Sequence, residues 1–437
     1  MHRNEFRTDV EEETGLGQDD NGGNNIEMKK EFFGDLSFEV VILFIFGIFM
    51  LIFGTLLFRI HTGELPYTPD STYGLFLVIV SLQIIALGRT PFGDIRRSWI
   101  VIIIGVCTTA AGMIACFIPG YLSDFVRILA GLMLFFGGIS LLLQLFLADG
   151  KAKRWLAVPG VLRHLTLACA LVYIISAILG IITLLPGIAE DTLTAAILLV
   201  YGVCIFYLSF CLHRTNTIYP QEEEKILSES AEKRTLLFSV AAIPLQVAII
   251  IPVGFLLVLL GFLLVPVNLG MIPFSPDGQL GLLMVVMAIQ MMALGETPAG
   301  ECRRSWLLMV IGVVFAGAGI FSCVVPGITT GILTELIGFL NIAGGVILLL
   351  KRFGPVLLNR GKQGAENDPI PPVLKNLLII QTILNFVSIS FGASMFLPGI
   401  IPGMAIAGIL VLNGILIFAL ASAVLKIDRM QSAEITG

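Results

Sequence analysis

"LGRTPFGDIRRSWIVIIIGVCTTAAGMIACFIPG", residues 87–120, returns as "LGETPAGECRRSWLLMVIGVVFAGAGIFSCVVPG", residues 294–327. Each copy runs from a charged loop into an apolar stretch, and the copies stand 207 residues apart. Between 83–120 and 290–327, 19 of 38 positions are identical. Further out at the same offset, "LPYTPDSTYG" (65–74) matches "IPFSPDGQLG" (272–281). Later, "LLPGI" (184–188) pairs with "FLPGI" (396–400) at an offset of 212, and the extra five residues fit around "RGKQGAENDPIPP". One half of the chain is therefore written twice.

The background to this repeat is oil. Hydrophobic residues make up 57% of the 437 positions and charged ones 13%, with a mean hydropathy of +0.96. A soluble domain carries about 45–50% apolar and roughly 25% charged residues. Twelve apolar stretches approach the ~20 residues needed to span a bilayer. In lipid the backbone must satisfy its own hydrogen bonds, so runs this continuous predict helices. The expected fold is an all-α integral membrane protein of twelve transmembrane helices, arranged as two parallel six-helix repeats of helical hairpins. Residues 1–37 form an acidic, solvated tail, 38–212 the first repeat, 213–236 a linker, 237–425 the second repeat and 426–437 a terminal tail. The N-terminus lacks a charged-then-apolar secretory pattern.

Of 26 Lys and Arg residues, 24 fall on one side of such a topology, leaving only Arg59 and Arg127 for the other. Positive charge in short loops marks the cytoplasmic face, so both termini are expected in the cytoplasm and the protein in the cell (inner) membrane. Six spans per half place the halves in the same orientation, with a pseudo-two-fold axis along the membrane normal.

Glycines recur seven residues apart at Gly47/Gly54, Gly105/Gly112, Gly254/Gly261 and Gly312/Gly319. Seven residues is nearly two turns, so each pair lies on one helix face where backbones can approach closely in lipid. These stripes are expected to join consecutive helices into hairpins.

The doubled loop has two readings. Thr90-Pro91 and Thr297-Pro298 stop the preceding helix, Gly93 and Gly300 supply a turn, and Asp94 and Glu301 suit the first turn of the next helix. Arg96, Arg97, Arg303 and Arg304 then anchor the cytoplasmic end, beside the interfacial Trp99 and Trp306. Alternatively, the two Arg pairs bind anionic lipid headgroups. In the outer motif, Asp70 and Asp277 are candidate helix N-caps or a cation or proton site.

Within the spans, the second and eighth have uninterrupted apolar cores at 74–88 and 281–295, about 22 Å each, with Gln83 and Gln290 inside. Short interrupted segments at matching places in two halves point to a transport site, unless flanking polar residues complete ordinary helices. Glu335 lies two turns into the tenth span, where charge is costly. Its matched position, Ile128, adjoins Arg127. The two charges either meet across the axis, or Arg127 pairs locally with Asp124.

Enzyme chemistry is not expected. The four histidines lie in tails, loops or span ends, and no metalloprotease, nucleophile-elbow, phosphate-loop or dinucleotide motif occurs. Six of seven cysteines sit in apolar runs and read as small buried hydrophobes. No metal, cofactor or nucleic-acid partner is implied, and the bilayer is the expected partner.

The segments "SWIVIIIGVCTTAAGMIACFIPG" with "LAGLMLFFGGISLLLQLF", and "SWLLMVIGVVFAGAGIFSCVVPG" with "LIGFLNIAGGVILLLKRF", resemble the HdeD-like family of six-span bacterial membrane proteins. The shared pattern is Trp at the start, glycine in the first helix, Pro near the turn and glycines in the second helix. The resemblance implies a non-enzymatic module in acid or envelope stress, or a scaffold, and no catalytic residues. The doubled length, acidic tail and Arg-Arg loop depart from that family. A second class is a secondary transporter or channel with its site between the repeats.

Overall fold

The computed structural model describes residues 37–87, 99–147, 160–218, 245–294, 296–297, 300–301, 306–358, 372–397 and 399–436. Twelve helices occupy them: α1 (Phe38–His61), α2 (Pro69–Leu87), α3 (Trp99–Phe117), α4 (Ser123–Leu147), α5 (Val161–Leu184), α6 (Asp191–Ile218), α7 (Leu245–Asn268), α8 (Pro276–Leu294), α9 (Trp306–Val324), α10 (Thr330–Leu358), α11 (Pro372–Phe396) and α12 (Gly403–Thr436). The remaining regular structure is a two-residue antiparallel pair, Glu296–Thr297 with Gly300–Glu301. Among the described residues nine helices are long and apolar enough to cross a membrane. The chain is a multi-pass helical membrane protein.

The boundaries of α1, α2 and α3 recur in α7, α8 and α9 with an offset of 207 at both ends. Left-handed glycines follow the same spacing, Gly63 with Gly270 and Gly120 with Gly327. Three expectations need correction. α6 continues six residues past the expected limit at 212, and α12 continues past 425 to Thr436, while residues 237–244 of the expected second repeat lie outside the described residues. Glu301 belongs to the two-residue pair opposite Glu296, so it is not in the first turn of α9.

The second and eighth helices, neither of which is among those nine, run beyond their apolar cores into flanking polar residues. Each has 19 residues, about 28 Å at ~1.5 Å per residue, close to a bilayer core of about 30 Å. Pro69 and Pro276 begin these helices rather than interrupting them, as proline does at a first helical position where its missing N–H costs nothing.

Helix pairing differs from the expected consecutive hairpins. The closest antiparallel pairs are α2/α3, α4/α5 and α1/α6, repeated as α8/α9, α10/α11 and α7/α12. Glycine positions explain the choice. Gly47 faces Phe206 of α6, and Gly54 faces Ala195 and Leu199 of the same helix. Gly112 packs on Gly74 of α2, so closely that a Cβ on either would stand 2.5 Å from the other's carbonyl oxygen; Gly319 and Gly281 repeat this geometry at 2.5 Å. Gly254 and Gly261 face α12 at Gly414 and Val411, and Gly312 faces Met292. Gly105 is buried, and its carbonyl accepts the Thr109 hydroxyl at 2.8 Å. A glycine stripe shows that a face packs closely, but the partner is set by the small residue opposite. At one end Asn216 of α6 donates to Ser37, and at the other His61 meets Asp191 at 3.0 Å. The start of α1 and the end of α6 thus lie together.

Packing between the halves runs through six helices. Among the described residues α1 packs on α8 and α9, α7 on α2 and α3, α2 on α9 and α3 on α8. The fully buried large side chains, including Phe49, Leu75, Leu77, Phe117 and Leu256, concentrate here. The outer helices instead present Phe125, Phe136, Phe146, Phe339 and Phe386 to the surface. In lipid that apolar exterior costs nothing, and van der Waals fit between small residues replaces hydrophobic burial as the cohesive term.

Replacing Gly281 by Ala should lower the thermal unfolding midpoint in lipid nanodiscs by the equivalent of about 1–3 kcal/mol, the usual cost of overpacking against backbone. Gly137→Ala, with open space at its Cβ position, should leave the midpoint unchanged or raise it. Equal responses would contradict the packing.

Candidate functional site

The motifs "YTPD" and "FSPD" place Thr68 and Ser275 immediately before α2 and α8. The Thr68 carbonyl accepts the Thr72 N–H at 3.2 Å and the Ser275 carbonyl accepts the Gln279 N–H at 3.2 Å, so these two residues are the N-caps. Ser275 Oγ also accepts the Gly278 N–H at 3.2 Å, the usual capping bond. The expectation that Asp70 and Asp277 cap these helices is corrected by two positions. They lie in the first turn instead, where negative charge suits the helix dipole.

The cap residues reach across to the other half. Thr68 N–H donates to the Val324 carbonyl at 3.2 Å, and Ser275 N–H donates to the Phe117 carbonyl at 2.8 Å. Phe117 and Val324 are the last residues of α3 and α9, whose terminal carbonyls have no partner within their own helices. An N-terminal orphan donor of one half therefore meets a C-terminal orphan acceptor of the other, twice, and the positive end of each dipole faces a negative one. Thr68 Oγ1 adds a bond to the Cys323 carbonyl at 3.2 Å. Ser71 Oγ donates to the Cys116 carbonyl at 3.4 Å, and Ser322 Oγ to the Asp277 carbonyl at 3.1 Å. Gly278 comes so near the Cys116 carbonyl that any Cβ there would collide with it.

Around this junction the polar side chains are buried. Asp70, 6% exposed, accepts the Gly120 N–H at 2.5 Å. Asp277, 8% exposed, accepts the Thr330 hydroxyl. Burial pushes the phenol of Tyr67, in the loop before α2, well above its ordinary range. Tyr73 and the Asp70 carboxylate add to that shift, while a hydrogen bond with Thr72 opposes it. The Cys116 thiol donates to the Ser71 carbonyl at 3.5 Å and the Cys323 thiol to the Gly278 carbonyl at 3.7 Å, each within its own half. Sequence reasoning treated both cysteines as packing residues.

The other candidates are dispersed. Gln83 and Gln290 are both half-buried. Gln290 lines a cavity of about 10 Å³ with Thr109, Met113, Pro252 and Leu256, between α2, α3, α7 and α8. That volume is the room of about one water. Its wall is otherwise apolar, apart from Thr109, whose hydroxyl meets Ser81 at 2.5 Å. Glu335 is exposed on α10 rather than turned inward. Arg127 donates to Asp124 Oδ1 at 3.3 Å and to the Thr183 carbonyl at 3.2 Å, so the expected alternative of an Arg127–Glu335 pair across the axis is replaced by the local one. Arg96, Arg97, Arg303 and Arg304, the acidic tail through residue 36, and residues 219–236 of the expected linker lie outside the described residues.

No family model, curated protein or solved structure matches this chain.

Thr68→Ala should destabilise by about 1 kcal/mol, the usual net worth of one hydrogen bond, measured by thermal unfolding in nanodiscs. An unchanged midpoint would mean the Cys323 carbonyl has another donor. Arg127→Gln and Glu335→Gln should be additive within about 0.5 kcal/mol in a double-mutant cycle, as for side chains that do not touch. A larger coupling would restore the cross-half pair.

Proposed function

We propose that the chain is a non-enzymatic membrane module of two parallel six-helix repeats, related by a pseudo-two-fold axis along the membrane normal. Both termini face the cytoplasm, in line with the Lys and Arg distribution. The HdeD-like resemblance suggests a role in acid or envelope stress, or as a scaffold in the inner membrane. The doubled Arg96-Arg97 and Arg303-Arg304 loops serve as contacts for anionic lipid phosphate.

The observation that carries this reading is the space between the halves. A solute path would need a cavity reaching the midplane polar groups. The cavity beside Gln290 is only about 10 Å³, Glu335 faces outward, and the outer end is closed by paired caps. Favouring the second reading, transport through this interface, are Pro252 within α7 and Gln290 on the same cavity wall; on that reading the structure would be a closed state.

Proteoliposomes loaded with a pH-sensitive dye distinguish the two. Vesicles carrying the protein should hold a proton gradient as long as empty ones. Protein-dependent leakage of protons or small solutes that disappears in Gln290→Leu would establish transport and overturn the module.

A further inference from the structure

Arg352 stands near the far end of α10, and among the described residues its Nη2 nitrogen is buried without a hydrogen-bond partner. The repeat makes this position unusual. At an offset of 207, Gly338, Gly345 and Arg352 of α10 answer Gly131, Gly138 and Leu145 of α4. Each trio is spaced by seven, so it runs down one helix face. Gly131 and Gly138 lie against Leu184 and Tyr173 of α5, and Leu145, next along, is 1% exposed. Gly338 and Gly345 lie against Phe396 and Ile389 of α11 in the same manner. The second half therefore holds a half-buried guanidinium in the seam that the first half closes with leucine.

A charge in such a seam is costly unless it is paired and hydrogen-bonded, and depth identifies the partner. Thr330, at the start of α10, meets Asp277 beside the capped junction, so Arg352 lies toward the opposite face of the membrane. At ~1.5 Å per residue it is about 33 Å along the helix, just past a bilayer core of about 30 Å. That is the level of lipid phosphates. Lys351 and Lys375, both exposed, add positive charge at the same end, and basic pockets between transmembrane helices are common seats for anionic headgroups. We propose that Arg352, in the seam between α10 and α11, binds the phosphate of an anionic lipid. A turn about the last bonds of its flexible side chain brings the guanidinium onto two phosphate oxygens, a bidentate grip that also gives Nη2 its acceptor. The site is separate from the Arg96-Arg97 and Arg303-Arg304 loops. It rests on the membrane-embedded fold alone, and holds whether or not a solute passes between the halves.

The test compares the delipidated wild-type chain with Arg352→Leu in dodecyl maltoside, with and without added phosphatidylglycerol. Leucine is what the first half holds at this place, so the variant should fold. Without lipid, Arg352→Leu should unfold at the wild-type temperature or above it, since it carries no unpaired charge. With phosphatidylglycerol the order should reverse. In native mass spectra the variant should bind that lipid about tenfold more weakly or worse, the worth of a charged hydrogen bond. The Arg303→Gln/Arg304→Gln chain reads the loop cations separately and should keep the wild-type response at Arg352. Equal binding by wild type and Arg352→Leu, or equal binding of phosphatidylcholine in place of phosphatidylglycerol, overturns the proposal. An Arg352→Leu midpoint lowered by the same amount with and without lipid also overturns it, because the partner would then be a carboxylate of the chain itself. Stabilisation of the wild type by inorganic phosphate but not by phosphatidylglycerol would assign the site to a free anion and overturn the lipid.

Discussion

The carbonyls that end α3 and α9 have no partner inside their helices, and an unmet polar group in an apolar surrounding costs several kcal/mol. Each chain half supplies the other's missing donor, Ser275 N–H to Phe117 and Thr68 N–H to Val324. These donors are themselves orphans at the starts of α8 and α2. Neither half taken alone has this solution, since the loop that caps α3 belongs to α8. The "T/S-P-D" sequence fits this capping role. Its proline gives up an N–H that a first helical turn does not need, which leaves the preceding amide free to point across.

Close glycine packing brings the caps into register. Gly74 on Gly112 and Gly281 on Gly319 hold α2 against α3 and α8 against α9 with backbone nearly touching backbone. The ends of each pair then form a rigid unit presenting one donor and one acceptor. Gly278, where the first half has Ser71, lets the two units approach until its Cα faces the Cys116 carbonyl. The small cavity beside Gln290 is what remains once such surfaces are fitted together.

Much of this architecture was legible in the sequence. Hydropathy located twelve helices because a lipid-facing helix must be apolar over its whole length, and the repeat was visible as identity at offsets of 207 and 212. Helix partners were not legible. Gly47 and Gly54 announced a close-packed face, but only the fold shows that α6 and not α2 fills it. The apolar cores of α2 and α8 are shorter than the helices because flanking residues from Pro69 and Pro276 complete them, the alternative the sequence offered. Arg127 found Asp124 three residues away because a local pair costs less ordering than a distant one.

Hydrogen–deuterium exchange resolved to single amides, on the chain in lipid nanodiscs, tests the reciprocal capping most directly. Cap-residue amides have no partner within their own helix, so protection at Thr68 and Ser275 reports the other half. Both should exchange as slowly as amides in the middle of α2 and α8, and both should speed up together in Gly278→Ala. Exchange of Thr68 and Ser275 at the rate of exposed loop amides would contradict the junction and the packing built on it.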